Sequence, residues 1–215
     1  RDGLLCPDEF EGIDWGNDVR CVDYGKIFRN RIGVLKKVVP RFGKTKEYEQ
    51  FCTENAFWLD DYASFMALKE ENNGRPLRDW KKPLPEPDED KSDFYKIIQF
   101  LFYSQWYALK QYVNSKGIEI IGDLPIYVAH DSADVMGNPE LFELDSHGNP
   151  VNVAGVPPDG FSEEGQLWGN PVFDWDYMRR DGYRWWIKRI SHSLQMFDKV
   201  RIDHFRGFSS YYSVP

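Results

Sequence analysis

The chain has 215 residues, 41% apolar and 29% charged, with 27 Lys+Arg against 35 Asp+Glu. A formal charge of −8 leaves no cationic excess to neutralise a phosphate backbone, so no nucleic acid partner is expected. No apolar run approaches the roughly 20 residues that span a bilayer, and Arg1-Asp2-Gly3 begins no charged-then-apolar signal pattern, so no membrane partner is expected either.

Residues 1 to 80 read as helical. Val22, Ile27, Ile32 and Leu35 recur loosely, and a clearer stripe runs from Tyr48 through Phe51, Trp58, Leu59, Tyr62, Phe65 and Leu68 to a stop at Asn72-Asn73-Gly74. The prolines and charges of Lys81 to Asp90 then predict a linker or exposed loop. From Ser92, taken as the N-cap, apolar residues keep helical spacing through Phe94, Ile97, Leu101 and Val113 to Gly117. Ile118 to Asp123 follows as a short β-branched strand.

The same order recurs in a helix from about Asp181 and a strand Val200-Arg201-Ile202-Asp203, which predicts an α/β fold with parallel strands. Between the strands, residues 124 to 175 hold 6 of the 17 glycines and 6 of the 13 prolines, a density that predicts a long functional loop. A hairpin is expected in it, Leu141 to Leu144 against Val151 to Ala154 around Asp145-Ser146-His147-Gly148. A closed (β/α)8 barrel takes roughly 250 residues. With two legible strands these residues cannot hold a whole one; residues 1–91 read as mainly helical, and 92–215 as α/β with a long loop at 124–175.

The start at Arg1 rather than Met, and an end at Tyr211-Tyr212-Ser213-Val214-Pro215 without a polar tail, read as a piece cut from a longer protein. Cys6, Cys21 and Cys52 form no C-x-x-C pair and fit a reducing cytoplasm. The 8 Trp, 12 Tyr and 15 Phe supply flat amphipathic faces that suit a sugar or a base, and the charge balance favours sugar.

Alternation along the second strand puts Arg201 and Asp203 on one face and Val200 and Ile202 on the other. At the carboxyl end of a barrel strand that face is the floor of an active site, where Arg201 would hold Asp203 ionised and oriented as a glycosidase nucleophile must be. The alternative is a buried Arg-Asp pair that merely closes the strand end, and His204 by itself reads as structural.

Asp123 would reach the same edge if the strands are parallel neighbours, with Gly122 letting the backbone turn. It suits either sugar contact or loop backbone N–H groups. His130, Asp131 and Asp134 offer oxygen and imidazole donors, but their spacing matches no metal motif, and Asp131-Ser132 suits a helix start equally well. In Val156 to Pro171, Gln166 and Trp168 would close over a ligand, or Trp168 would be pinned into the core.

Five blocks carry a resemblance to the 4-α-glucanotransferases of glycoside hydrolase family 77: GDLPIYVAHDSADV (122 to 135), NPELFELDSHGNP (138 to 150), VAGVPPDGFSEEGQLWGNP (153 to 171), DGYRWWI (181 to 187) and VRIDHFRGF (200 to 208). WLDDYASFMALKE (58 to 70) resembles the family's helical insertion. Met136 departs from the Trp frequent in relatives, and Gly160 from a Tyr present in some.

The resemblance implies an α-amylase-type (β/α)8 TIM barrel with helical insertions, present here only in part: a mainly helical insertion over 1–91 and a partial barrel over 92–215 with its active-site loop at 124–175. It also implies maltooligosaccharides or starch-type α-1,4-glucans as substrates, with no metal and no cofactor. It assigns Asp203 as nucleophile, Arg201 and His204 as its supports, Asp123 to the first barrel motif, and Gln166 and Trp168 to the acceptor-side loop. The family's acid/base Glu and a sugar-gripping Asp belong on strands after Asp203 and are expected to be missing from these residues. An α-glucan hydrolase and a noncatalytic glucan-binding module are the competing readings.

Overall fold

The computed structural model describes residues 3–16 and 18–215. Three helices precede the first strand. Helix α1, Tyr24–Lys36, is capped by Asp23, whose carboxylate accepts the Lys26 N–H at 3.0 Å, and α2, Lys46–Glu71, is capped by Thr45. Helix α3 runs over Glu89–Ser115. Its cap is Asp88, which accepts the Lys91 N–H at 2.9 Å and places Glu89 and Asp90 in the positive first turn. The expected cap Ser92 lies inside the helix, with its hydroxyl buried and without a hydrogen-bond partner, so the irregular stretch after Lys81 ends at Asp88.

Both expected strands exist, with shifted bounds. Strand β1, Ile121–Leu124, starts three residues later than its β-branched run, and β4, Lys199–Ile202, lies parallel to it with Gly122 opposite Val200 and Asp123 opposite Arg201. Asp198 locks the start of the pair. Its carboxylate accepts the Ile120 N–H and the Asn114 amide, each at 2.8 Å, and its own N–H donates to the Ile120 carbonyl at 3.0 Å. These bonds hold its carboxyl below the usual range.

Gly122 is needed for packing rather than for turning. It lies within β1, and a Cβ there would overlap the Phe197 ring.

The long connection after β1 contains more regular structure than its composition suggests. It holds the short helix α4, Ala133–Gly137, capped by Ser132, and the strands β2, Val153–Val156, and β3, Gln166–Pro171. The hairpin at Asp145 to Gly148 forms, but Val153 and Ala154 do not pair back to 141–144. Its two arms meet at Leu144 and Pro150, and β2 runs antiparallel to β3 and to β5, Tyr212–Val214. Helices α5, Trp175–Arg180, and α6, Arg184–Met196, then lead into β4.

One apolar core joins these parts. Phe65 and Leu68 of α2 pack with Leu124, Ile126 and Val128 at and beyond the end of β1, and with Phe142, Met178 and Trp186. Phe173 is fully buried among them, stacked on Phe142 at 5.2 Å and on Tyr127 at 6.0 Å between ring centres. Ala63, Phe94 and Tyr95 form a smaller cluster between α2 and α3. Among the described residues no helix is long and apolar enough to cross a membrane.

Candidate active site

Alternation in β1 and β4 separates two chemistries. Gly122, Leu124, Val200 and Ile202 face the helical layer, whereas Asp123, Lys199 and Arg201 face the open side. Asp203 continues the open row one residue past β4, with its N–H donated to the Leu124 carbonyl at 3.0 Å. The parallel register therefore gathers Asp123, Arg201 and Asp203 at the carboxyl edge of the strand pair, where α/β active sites form.

The partner expected for Arg201 is corrected by that register. Arg201 Nε and Nη2 donate to the two oxygens of Asp123 at 3.0 and 2.5 Å, a bidentate bond across the strands, so Arg201 does not grip Asp203. These bonds raise the Arg201 guanidinium further, with Asp203 adding a weaker attraction. Neither side chain is buried, at 66% and 56% exposure, so the pair does not act as a sealed strand closure. The Asp203 carboxylate is exposed, and among the described residues it makes no hydrogen bond or ion pair.

His204 is set by backbone geometry as well as contacts. Its φ of 50° and ψ of 45° lie in the left-handed region, which strains a residue with a side chain by roughly 1–2 kcal/mol, and it opens the 3-10 turn Phe205–Phe208. Gly207 makes room for it, since a Cβ there would press on Ile126 and on the imidazole. The imidazole meets Trp168 edge-on at 5.0 Å and lies 6.4 Å from Tyr127.

The expected mobile loop is instead a β-hairpin arm. Gln166, Trp168 and Asn170 recur at every second position of β3. Asn170 ties the strand to the Val128 carbonyl at 2.8 Å, and the Trp168 indole donates to Gln166 Oε1 at 2.9 Å, leaving the Gln166 amide N–H groups for a ligand. Trp168 is 37% exposed and so is not a core residue. The turn before β3 is built by Asp159, which accepts the Phe161 and Ser162 N–H groups, and by Ser162 Oγ, which donates to the Gly165 carbonyl at 2.7 Å. Phe161 projects from this turn almost fully exposed.

Sequence patterning missed Tyr127. Its ring lies against Phe173, Trp168 and His204, its hydroxyl is buried without a partner, and burial pushes it up to about 12. The available signal was its position three residues past Leu124, in the segment leaving the carboxyl end of β1.

The residues considered for a metal separate. His130 Nε2 lies 2.8 Å from the Gly148 carbonyl, Asp131 accepts the Leu77 N–H at 2.9 Å and pairs with Lys69, and Asp134 falls in the first turn of α4. No cluster of three metal-ligating side chains occurs among the described residues.

The arrangement offers an accessible carboxylate, a guanidinium-bound carboxylate beside it, and an aromatic and amide wall, a set matched to a polyhydroxylated ring. A family model described as 4-alpha-glucanotransferase, Glyco_hydro_77, matches residues 5–215. A 4-alpha-glucanotransferase of Streptococcus pneumoniae serotype 4 is 44% identical across 99% of this chain and 45% of its own length. One from Synechocystis is 47% identical across 90% of this chain and 42% of its own length. The solved amylomaltase of Streptococcus agalactiae in complex with acarbose superposes with a TM-score of 0.92 at 41% identity, covering 99% of this chain and 46% of that one. The chain thus spans less than half the length of the relatives it matches.

Proposed function

Because the chain belongs to glycoside hydrolase family 77, the 4-alpha-glucanotransferases, we propose that Asp203 is the nucleophile of a retaining transfer between α-1,4-glucans such as maltooligosaccharides. The observation that carries this reading is the exposed Asp203 carboxylate, beside Asp123 and Arg201 at the carboxyl edge of two parallel strands. On this reading β1 and β4 are neighbouring staves of a (β/α)8 barrel, and the helices before residue 92 form an insertion upon it. The three free cysteines suit a reducing compartment such as the cytoplasm.

In the first step an Asp203 oxygen attacks C1 of the donor glucose and the C1–O4 bond breaks, its electron pair passing to the departing 4-oxygen. A second carboxylic acid, about 5 to 5.5 Å from the nucleophile in retaining enzymes, protonates that oxygen. In the second step the 4-hydroxyl of an acceptor glucan attacks C1, the Asp203 ester breaks, and the same second carboxylate takes the hydroxyl proton.

Asp123 does not suit the proton-donor role, since Arg201 holds its carboxylate through two hydrogen bonds. It suits sugar hydroxyls instead, with Arg201 fixing its orientation. His204 and Trp168 make an aromatic edge against the sugar, and Gln166 donates to a hydroxyl. Transfer prevails over hydrolysis when this wall keeps water from C1 until the acceptor enters.

The test uses the full-length protein that carries the acid/base carboxyl. Asp203→Ala is expected to abolish glucose release and chain lengthening from maltotriose, and substantial remaining turnover would remove Asp203 from the reaction. The 215-residue chain alone is expected to show no transfer, for want of a free proton donor beside Asp203.

A further inference from the structure

The chain leaving β1 has no ladder to hold it. Among the described residues, none of residues 125–129 enters a backbone–backbone hydrogen bond, yet this segment follows Asp123 closely and carries Tyr127. Two side chains hold it. Asn170 of β3 donates to the Val128 carbonyl, and Arg189 of α6 donates from Nη1 to the Ile126 carbonyl at 3.3 Å.

The second of these bonds comes through the helical layer. Arg189 reaches Ile126 along Trp185 and Trp186, its guanidinium 5.0 and 5.1 Å from their ring centres. That route is unfavourable for a cation, since burial lowers the guanidinium to about 10 and the charge of Asp134 offsets only part of the effect. An apolar residue would fill the same space without desolvating a charge, so the hydrogen bond is what an arginine supplies here.

Ile126 carries the restraint onward. Its side chain, 3% exposed, ends 2.7 Å from where a Cβ on Gly207 would lie, and the His204 imidazole closes on the same point at 3.1 Å. The Gly207 N–H donates to the His204 carbonyl at 2.8 Å, which sets the turn that follows Asp203. One carbonyl bond from α6 thus bears on both strand ends: on Asp123, upstream of Ile126 in the same segment, and on the Asp203-His204 turn packed against it. We propose that Arg189 is a positioning residue for the transfer, touching neither substrate nor nucleophile and acting through Ile126. The proposal rests on the reading of Asp203 as nucleophile.

The test separates positioning from folding in the full-length protein. Arg189→Met removes the donor but leaves Asp134 without its counter-charge, so it is expected to lower both the unfolding midpoint and turnover. Arg189→Met paired with Asp134→Asn removes both charges. The pair is expected to return the midpoint toward the parent while kcat for maltotriose stays about tenfold down, with KM changed less than about twofold. In the same folded double variant the His204 imidazole signal, followed by NMR of histidine-labelled protein and assigned with His204→Gln, is expected to be displaced. Arg189→Leu with Asp134→Asn serves if the methionine pair does not fold.

A kcat that recovers together with the midpoint, or a His204 signal that stays in place, would overturn the positioning role and leave Arg189 to folding alone. If Asp203→Ala keeps full turnover, the nucleophile assignment fails by itself, and the His204 signal still decides whether Arg189 shapes this edge.

Discussion

Two groups of charged side chains lie on opposite faces of one parallel strand pair, and their surroundings differ. On the open face Asp123, Arg201 and Asp203 are exposed. Behind the pair Asp134, Asp61 and Arg189 are drawn into the helical layer, where burial raises the two carboxyls and lowers the guanidinium to about 10. The open group lies within reach of a ligand at little cost to folding, whereas the rear group holds its charges against desolvation. On the proposed reading the same residue types serve chemistry on the open face, whereas on the other face rings and backbone carbonyls surround them.

That contrast predicts which substitutions act on folding and which on turnover. Phe173 anchors the core shared by both faces, so Phe173→Ala is expected to lower unfolding free energy by about 3–5 kcal/mol in urea titration. A loss below about 1 kcal/mol would show that the two faces do not share that anchor. Gly122→Ala pushes a methyl into Phe197, with an expected loss of about 1–3 kcal/mol, and an unchanged midpoint would contradict the close contact of β1 with the approach to β4.

Asp123→Asn should behave oppositely. In the full-length protein it is expected to cut maltotriose turnover by more than about tenfold while leaving the unfolding midpoint almost unmoved, because the lost pair is solvent-exposed. Equal losses of activity and stability would mean that the open face is built for folding.

The smallest effect concerns Asp61. Its folded carboxyl titrates above its ordinary 3.8, so between those two values the folded state binds more protons than the unfolded one, and stability falls as pH rises through that window. Asp61→Asn removes that penalty. The variant is expected to be slightly more stable than the parent at neutral pH, with the gap closing as pH falls toward 3.8; a gap that widens on acidification would reverse the sign.

Much of this arrangement is legible in local pattern. The β-branched runs before Asp123 and Asp203, each following a helix, mark two parallel strands, and alternation alone puts Arg201 and Asp203 on one face. The pairing of Arg201 with Asp123 is not local. It depends on a register across 78 positions of sequence, and a one-residue slip would have turned Asp123 to the other face.

Strand β3 was hidden because Gly165, Gly169 and Pro171 read as loop chemistry, although Gln166, Trp168 and Asn170 alternate as a strand requires. Local pattern does not fix the start of α3, because Ser92 and Asp88 are both good caps and only the acidic first turn after Asp88 separates them. Tyr127 is not legible in local pattern because its neighbours come from two distant segments, Trp168 and Phe173 from β3 and the residues just after it, and His204 from beyond β4.

The role of Asp203 is tested most directly by trapping the sugar ester. The full-length protein would be incubated with a slowly released 5-fluoro glycosyl fluoride, digested, and mapped by mass spectrometry. The expected result is one glycosyl adduct on the peptide carrying Asp203, absent from Asp203→Ala. An adduct on Asp123, or on a peptide lacking Asp203, would contradict the assignment of the nucleophile.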